Sequence, residues 1–97
     1  MALDIKQDQD VLRFSGELNR DTLMLYSPFK LLNSLSGKVI FDFSALSNVD
    51  SAGLAWLIQQ LGRARKQKLQ VEFNKVPTQL LALAKVSGVT TLLPITD

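Results

Sequence analysis

Residues Ile40 to Leu57 read IFDFSALSNVDSAGLAWL, and the fold turns on how this stretch is parsed. The apolar run Val39–Phe43 predicts a buried central strand. Ser44 to Asn48 reads as a short polar connector. Asp50-Ser51-Ala52-Gly53 then opens an apolar pattern with helical spacing, predicted to run to about Gln67. A hydroxyl and a carboxylate at the start of a helix stand where the backbone favours negative charge. Ser51 is therefore the first candidate functional residue.

Working outward, the chain alternates strands and helices. Leu3–Lys6 and Val11–Ser15 predict two strands joined by a hairpin turn through the polar residues Gln7 to Asp10. Asn19 or Asp21 can cap a helix over Thr22–Leu35, with Pro28 kinking it or dividing it into two short pieces. Leu69–Phe73 predicts a fourth strand. Pro77 at a helix start, Thr78–Ser87 and the stop at Gly88 predict a third helix. Val89–Ile95 reads as a last short strand or an extended tail. The order β-β-α-β-α-β-α predicts an α/β fold, with a mixed four- to five-stranded sheet and helices packed mainly on one face.

The 97 residues, 46% hydrophobic and 21% charged, fit one domain spanning 1–97 with a single modest core. Cysteine and histidine are both absent, which removes thiol chemistry, the usual neutral-pH base and the commonest metal ligand. The scattered acids, the missing nucleophile–base pair and the lack of a phosphate-binding glycine loop leave no candidate catalytic residue, metal site or cofactor. A net charge of +2 does not imply nucleic-acid binding, and no aromatic residues interleave with the basic run Arg63–Lys68. Cations there favour the helix dipole; an acidic partner patch or anionic lipid are the alternatives. No apolar run approaches the roughly 20 residues that span a bilayer, and the opening MALDIKQDQD lacks a secretory pattern. A cytoplasmic location is expected.

On the Asp50–Gln67 helix, Leu54, Leu57, Ile58 and Leu61 fall in one sector of about 100°, expected to face the sheet. Trp56 then points about 150° from the centre of that sector, with Ala52, Gln59, Gln60 and Arg63. A tryptophan so placed suggests a contact surface. Ser51, Ala55 and Gly62 form a flank of small residues, and Gly53 would let a partner backbone or a phosphate approach Ser51. The bland alternatives are that Asp50 and Ser51 merely cap the helix and that Trp56 folds under a loop.

The stretch VIFDFSALSNVDSAGLAWLIQQ resembles the STAS domain family, named for sulfate transporters and anti-sigma factor antagonists. Asp42, Asp50, Ser51 and Gly53 match its strand–loop–helix motif, and Gly16-Glu17-Leu18 matches the turn after the second strand. The resemblance covers nearly the whole chain. It implies a mixed sheet flanked on one side by helices, and a binding rather than catalytic role. Two branches offer functions. Anti-sigma factor antagonists carry a phosphorylatable serine at the position of Ser51 and bind a kinase-type anti-sigma factor. The other branch supplies the small cytoplasmic subunit of a phospholipid-transporting ABC complex, peripheral to the inner membrane. There the matching helix lies against the ATPase subunit. The SGELNRDTL segment and the tail LLALAKVSGVTTLLP resemble that branch, although it typically has threonine where this chain has Ser51. The implied partner-binding set is Ser51, Ala52, Ala55, Trp56 and Gln59.

Overall fold

The computed structural model describes residues 3–26 and 29–96. Four strands form one sheet: β1 (Leu3–Asp8), β2 (Val11–Leu18), β3 (Lys38–Val49) and β4 (Gln70–Asn74). They lie side by side in chain order. β1 pairs antiparallel with β2, and β3 runs parallel to both β2 and β4. Helix α1 (Ser51–Lys66) crosses from β3 to β4, and α2 (Thr78–Ser87) follows β4. The sheet is therefore four-stranded and mixed, as the element order predicts.

One sheet face is apolar and covered. Leu12, Phe14, Val39, Phe41, Phe43 and Phe73 point into it and are almost fully buried. All five phenylalanines of the chain lie in this core. Phe14, Phe41, Phe43 and Phe73 form a ring cluster with centroids 4.9–6.3 Å apart. Burying each such side chain contributes roughly 1.5–3 kcal/mol. The opposite face is left to ion pairs, Arg13–Asp42 at 3.2 Å and Lys38–Glu72 at 2.7 Å. Exposed pairs of this kind contribute little, typically below about 1 kcal/mol each.

The structure redraws several boundaries. Ser44–Asn48 is not a connector: β3 is one strand of 12 residues that carries through it. Against β2 the register slips between Arg13/Ser15 and again between Gly16/Glu17, each time with one extra residue on β3. A bulge reverses which face the following side chains meet. The first returns Leu46 to the core and the second returns Val49, so the buried positions run 39, 41, 43, 46, 49. That broken alternation hides the strand from a period-two reading.

The expected Thr22–Leu35 helix is replaced by two 3-10 turns, Leu23–Tyr26 and Leu31–Ser34. Pro28, expected to interrupt it, lies outside the described residues. The first turn is tied down by tertiary bonds: the Tyr26 hydroxyl accepts the Ile5 N–H of the edge strand at 3.0 Å. The final segment is a third 3-10 turn, Thr90–Leu92, followed by a single parallel bridge between Phe73 and Ile95. Helix α2 ends as predicted, with Gly88 left-handed at φ 70° and Val89 N–H bonded back to the Ala84 carbonyl at 2.9 Å.

Candidate functional site

The start of α1 is built by Asp50. Its backbone is extended, and one carboxylate oxygen accepts the Gly53 N–H at 2.8 Å. The other accepts the Arg20 N–H at 3.2 Å, and the Asp50 N–H donates to the Leu18 carbonyl. One side chain thus caps α1 and clamps the turn after β2 beside it. That turn is preformed. The Asn19 side-chain oxygen accepts the N–H groups of Asp21 and Thr22, and the buried Thr22 hydroxyl donates to the Glu17 carbonyl.

Gly53 has an inward role, which corrects its reading as an opening beside Ser51. It is buried, and a Cβ there would collide with the Leu18 carbonyl and stand 2.9 Å from a Val49 methyl. The missing side chain lets α1 press on β2, not a partner on Ser51.

Ser51, Ala55 and Gln59 are exposed, and Ala52 is half-buried. The Ser51 hydroxyl has no hydrogen bond among the described residues. An open depression of about 490 Å³ lies beside it, lined by Arg20, Asp21, Asp50, Ser51 and Ala52. Nothing in the helical pattern around Ser51 marks Arg20 or Asp21 as its neighbours. They reach Ser51 through the Asp50 clamp, across 30 positions of chain. The matching SGELNRDTL segment was the only signal in the sequence that could have found them. The depression is open to solvent rather than enclosed.

Trp56 does not belong to that surface. Its ring is only 4% exposed and packs on Phe29 at 5.0 Å and edge-on to Phe14 at 6.2 Å. The buried residues of α1 are Gly53, Leu54, Trp56, Leu57, Gln60 and Ala64, a stripe rolled about 70° from the expected leucine sector. The roll follows from the close seat of Gly53 on β2 and from the segment carrying Phe29, which covers the side of α1 expected to be bare. Arg63 fixes that cover: its guanidinium donates to the Phe29 carbonyl at 2.7 Å and to Gln60 Oε1 at 2.9 Å. Arg63 thereby leaves the basic run, while Arg65, Lys66 and Lys68 remain exposed.

Asp42, the other motif acid, lies on the open sheet face. Partial burial works to raise its pKa. Hydrogen bonds from the Ser44 backbone and hydroxyl, with the Arg13 guanidinium, outweigh this and hold it below the ordinary 3.8. Among the described residues no three His, Cys, Asp or Glu side chains gather where a metal could sit. No described helix is long and apolar enough to cross a membrane.

Comparison with known proteins agrees with this architecture. The family profile described as "Mlab, STAS domain" matches residues 1–94. The intermembrane phospholipid transport system binding protein MlaB of Escherichia coli (strain K12) is 33% identical over 85 residues, covering 88% of this chain and 87% of the relative. MlaB of Shigella flexneri matches to the same extent. Among solved structures, a putative anti-sigma factor antagonist from Thermotoga maritima superposes with a TM-score of 0.76 at 17% identity, covering 98% of this chain and 86% of that one. The unphosphorylated anti-sigma factor antagonist SpoIIAA gives 0.66 at 13%, covering 98% and 87%. At such identities these two likenesses speak for the fold alone. The chain belongs to the MlaB-type STAS domain family, as its motifs implied.

Proposed function

We propose that this STAS domain is a non-catalytic subunit of a phospholipid-transporting ABC complex that maintains outer-membrane lipid asymmetry. It binds and stabilises the MlaF-like ATPase subunit, and is held at the cytoplasmic side of the inner membrane through that partner. The observation that carries this reading is the 33% identity to MlaB across 88% of the chain. The contact is the outer face of α1 around Ser51, Ala52, Ala55 and Gln59, with the Arg20–Asp21 turn at its edge. Trp56 is buried and takes no part in this face. The Asp50 clamp and the buried indole hold the face in one conformation before binding, which reduces the ordering entropy of association.

Pull-down of the tagged chain from a native membrane extract tests the reading: an ABC ATPase should be recovered. Ser51→Glu should weaken that association, by desolvating a charge in a packed contact, while Ser51→Thr retains it. Deleting the chain should lower the amount or ATPase activity of the complex and sensitise the outer membrane to detergent. An intact transporter and normal detergent resistance in the deletion strain would overturn the assignment.

A second reading rests on one observation, the exposed Ser51 hydroxyl at the first residue of α1. In it the chain is an anti-sigma factor antagonist switched by phosphorylation of Ser51, with an anti-sigma factor kinase as its partner. Recovery of a serine kinase in the pull-down, and a phosphate on Ser51 by intact mass, would select it.

A further inference from the structure

The roll that buries Trp56 leaves apolar surface elsewhere. Ile58 and Leu61, expected to face the sheet, stand half-buried on the flank of α1. Leu92, on the 3-10 turn after α2, lies beside them and is 52% exposed. Two adjoining depressions of about 160 and 190 Å³ share Leu61, Arg65 and Leu92. Together they form a groove between α1 and the tail, floored by the buried Ala64 and Leu69. Gly62 lines it, and a Cβ built there would meet nothing within 4 Å. Glycine is disfavoured inside a helix, and no packing among the described residues requires it at this position.

Charge selects the occupant. Arg65 lines both depressions, and its guanidinium has no hydrogen bond or ion pair among the described residues. Exposed Lys66 and Lys68 follow it in the chain. A flat bilayer could touch Leu92 but not the floor at Ala64 and Leu69. A protein segment presenting an apolar side chain next to a carboxylate satisfies both the groove and Arg65.

We propose that the groove of Ile58, Leu61, Gly62, Arg65 and Leu92 is a second docking site for the ATPase partner, taking an acidic, apolar-anchored segment of it. The proposal rests on the ATPase reading above and extends the contact along the same helix from the Ser51 end. Titration of the full chain against the purified ATPase subunit tests it, with Gly62→Leu to fill the groove and Arg65→Glu to reverse its charge. Both variants should melt no lower than the native chain, and each should weaken binding by about tenfold or more. Native binding should weaken with added salt, and Arg65→Glu should reduce that dependence. If Ser51→Glu weakens binding but both groove variants bind as the native chain does, the groove is not a site and the ATPase reading stands. If the native chain does not bind the ATPase, both fall. Self-association, or binding to phosphatidylglycerol vesicles, that the two groove variants abolish would reassign the groove and overturn the proposal.

Discussion

The indole of Trp56 rests on the ring of Phe29, with centroids 5.0 Å apart and planes inclined at 58°. Arg63, two turns further along α1, holds the Phe29 carbonyl at 2.7 Å. The segment between β2 and β3 is therefore fastened over α1 by an aromatic contact and a charge-assisted hydrogen bond at one point.

Trp56→Ala should destabilise the fold by about 3–5 kcal/mol, the usual range for removing a buried large aromatic. Trp56 is the single tryptophan, so its fluorescence reports directly on this site. Emission from the free native chain should be blue-shifted, and move to long wavelength on urea unfolding. Long-wavelength emission from the folded chain, with an unchanged denaturation midpoint in the alanine variant, would contradict the burial.

Two glycines of one helix should respond oppositely to the same change. Gly53→Ala drives a methyl into the Leu18 carbonyl and the Val49 side chain, so it should cost about 1–3 kcal/mol. Gly62→Ala meets nothing within 4 Å and gains helix propensity, so it should stabilise by up to about 1 kcal/mol. Paired thermal melts of the two variants measure both signs.

Asp50→Ala removes the cap on Gly53 and the anchor of the Arg20 N–H together. A loss of about 1–2 kcal/mol is expected, at the upper end for a helix cap. Asp50→Asn should retain most of it, because the amide oxygen can still accept one bond. Hydrogen exchange should rise at the amides of Gly53 and Arg20 in the alanine variant; unchanged protection at Arg20 would show that the clamp is not formed.

Asp42 gives an acid dependence whose sign follows from its lowered pKa. The unfolded chain takes up this proton at a higher pH than the folded one, so stability rises with pH across the interval between the two values. The contribution is present above the unfolded value near 3.8 and fades as pH falls through the lower folded value. Denaturation midpoints of the native chain should therefore drop more steeply below about pH 4 than those of Asp42→Asn. Parallel curves would remove Asp42 from the acid response.

Much of this molecule is written locally. The alternation in β1 and β2, the capping aspartate at 50, the glycine stop at 88 and the strand–loop–helix motif each depend on neighbours a few residues away. They predicted the order of the four strands and of the two α-helices that follow β3 and β4, the mixed sheet and the position of Ser51 at a helix start. The bulges in β3, the roll of α1 and the 3-10 turns over it depend on contacts the local pattern does not contain. A helical wheel assigns the buried face by counting leucines and isoleucines. It cannot register that Gly53 is seated on Leu18, or that Gln60 is buried through a bond to Arg63. Nor can it register that Phe29, 27 positions before Trp56, closes over the indole. Those contacts put the tryptophan in the core and left Ile58 and Leu61 half-buried at its margin, because burial follows which surfaces meet across the chain rather than which residues are apolar along it.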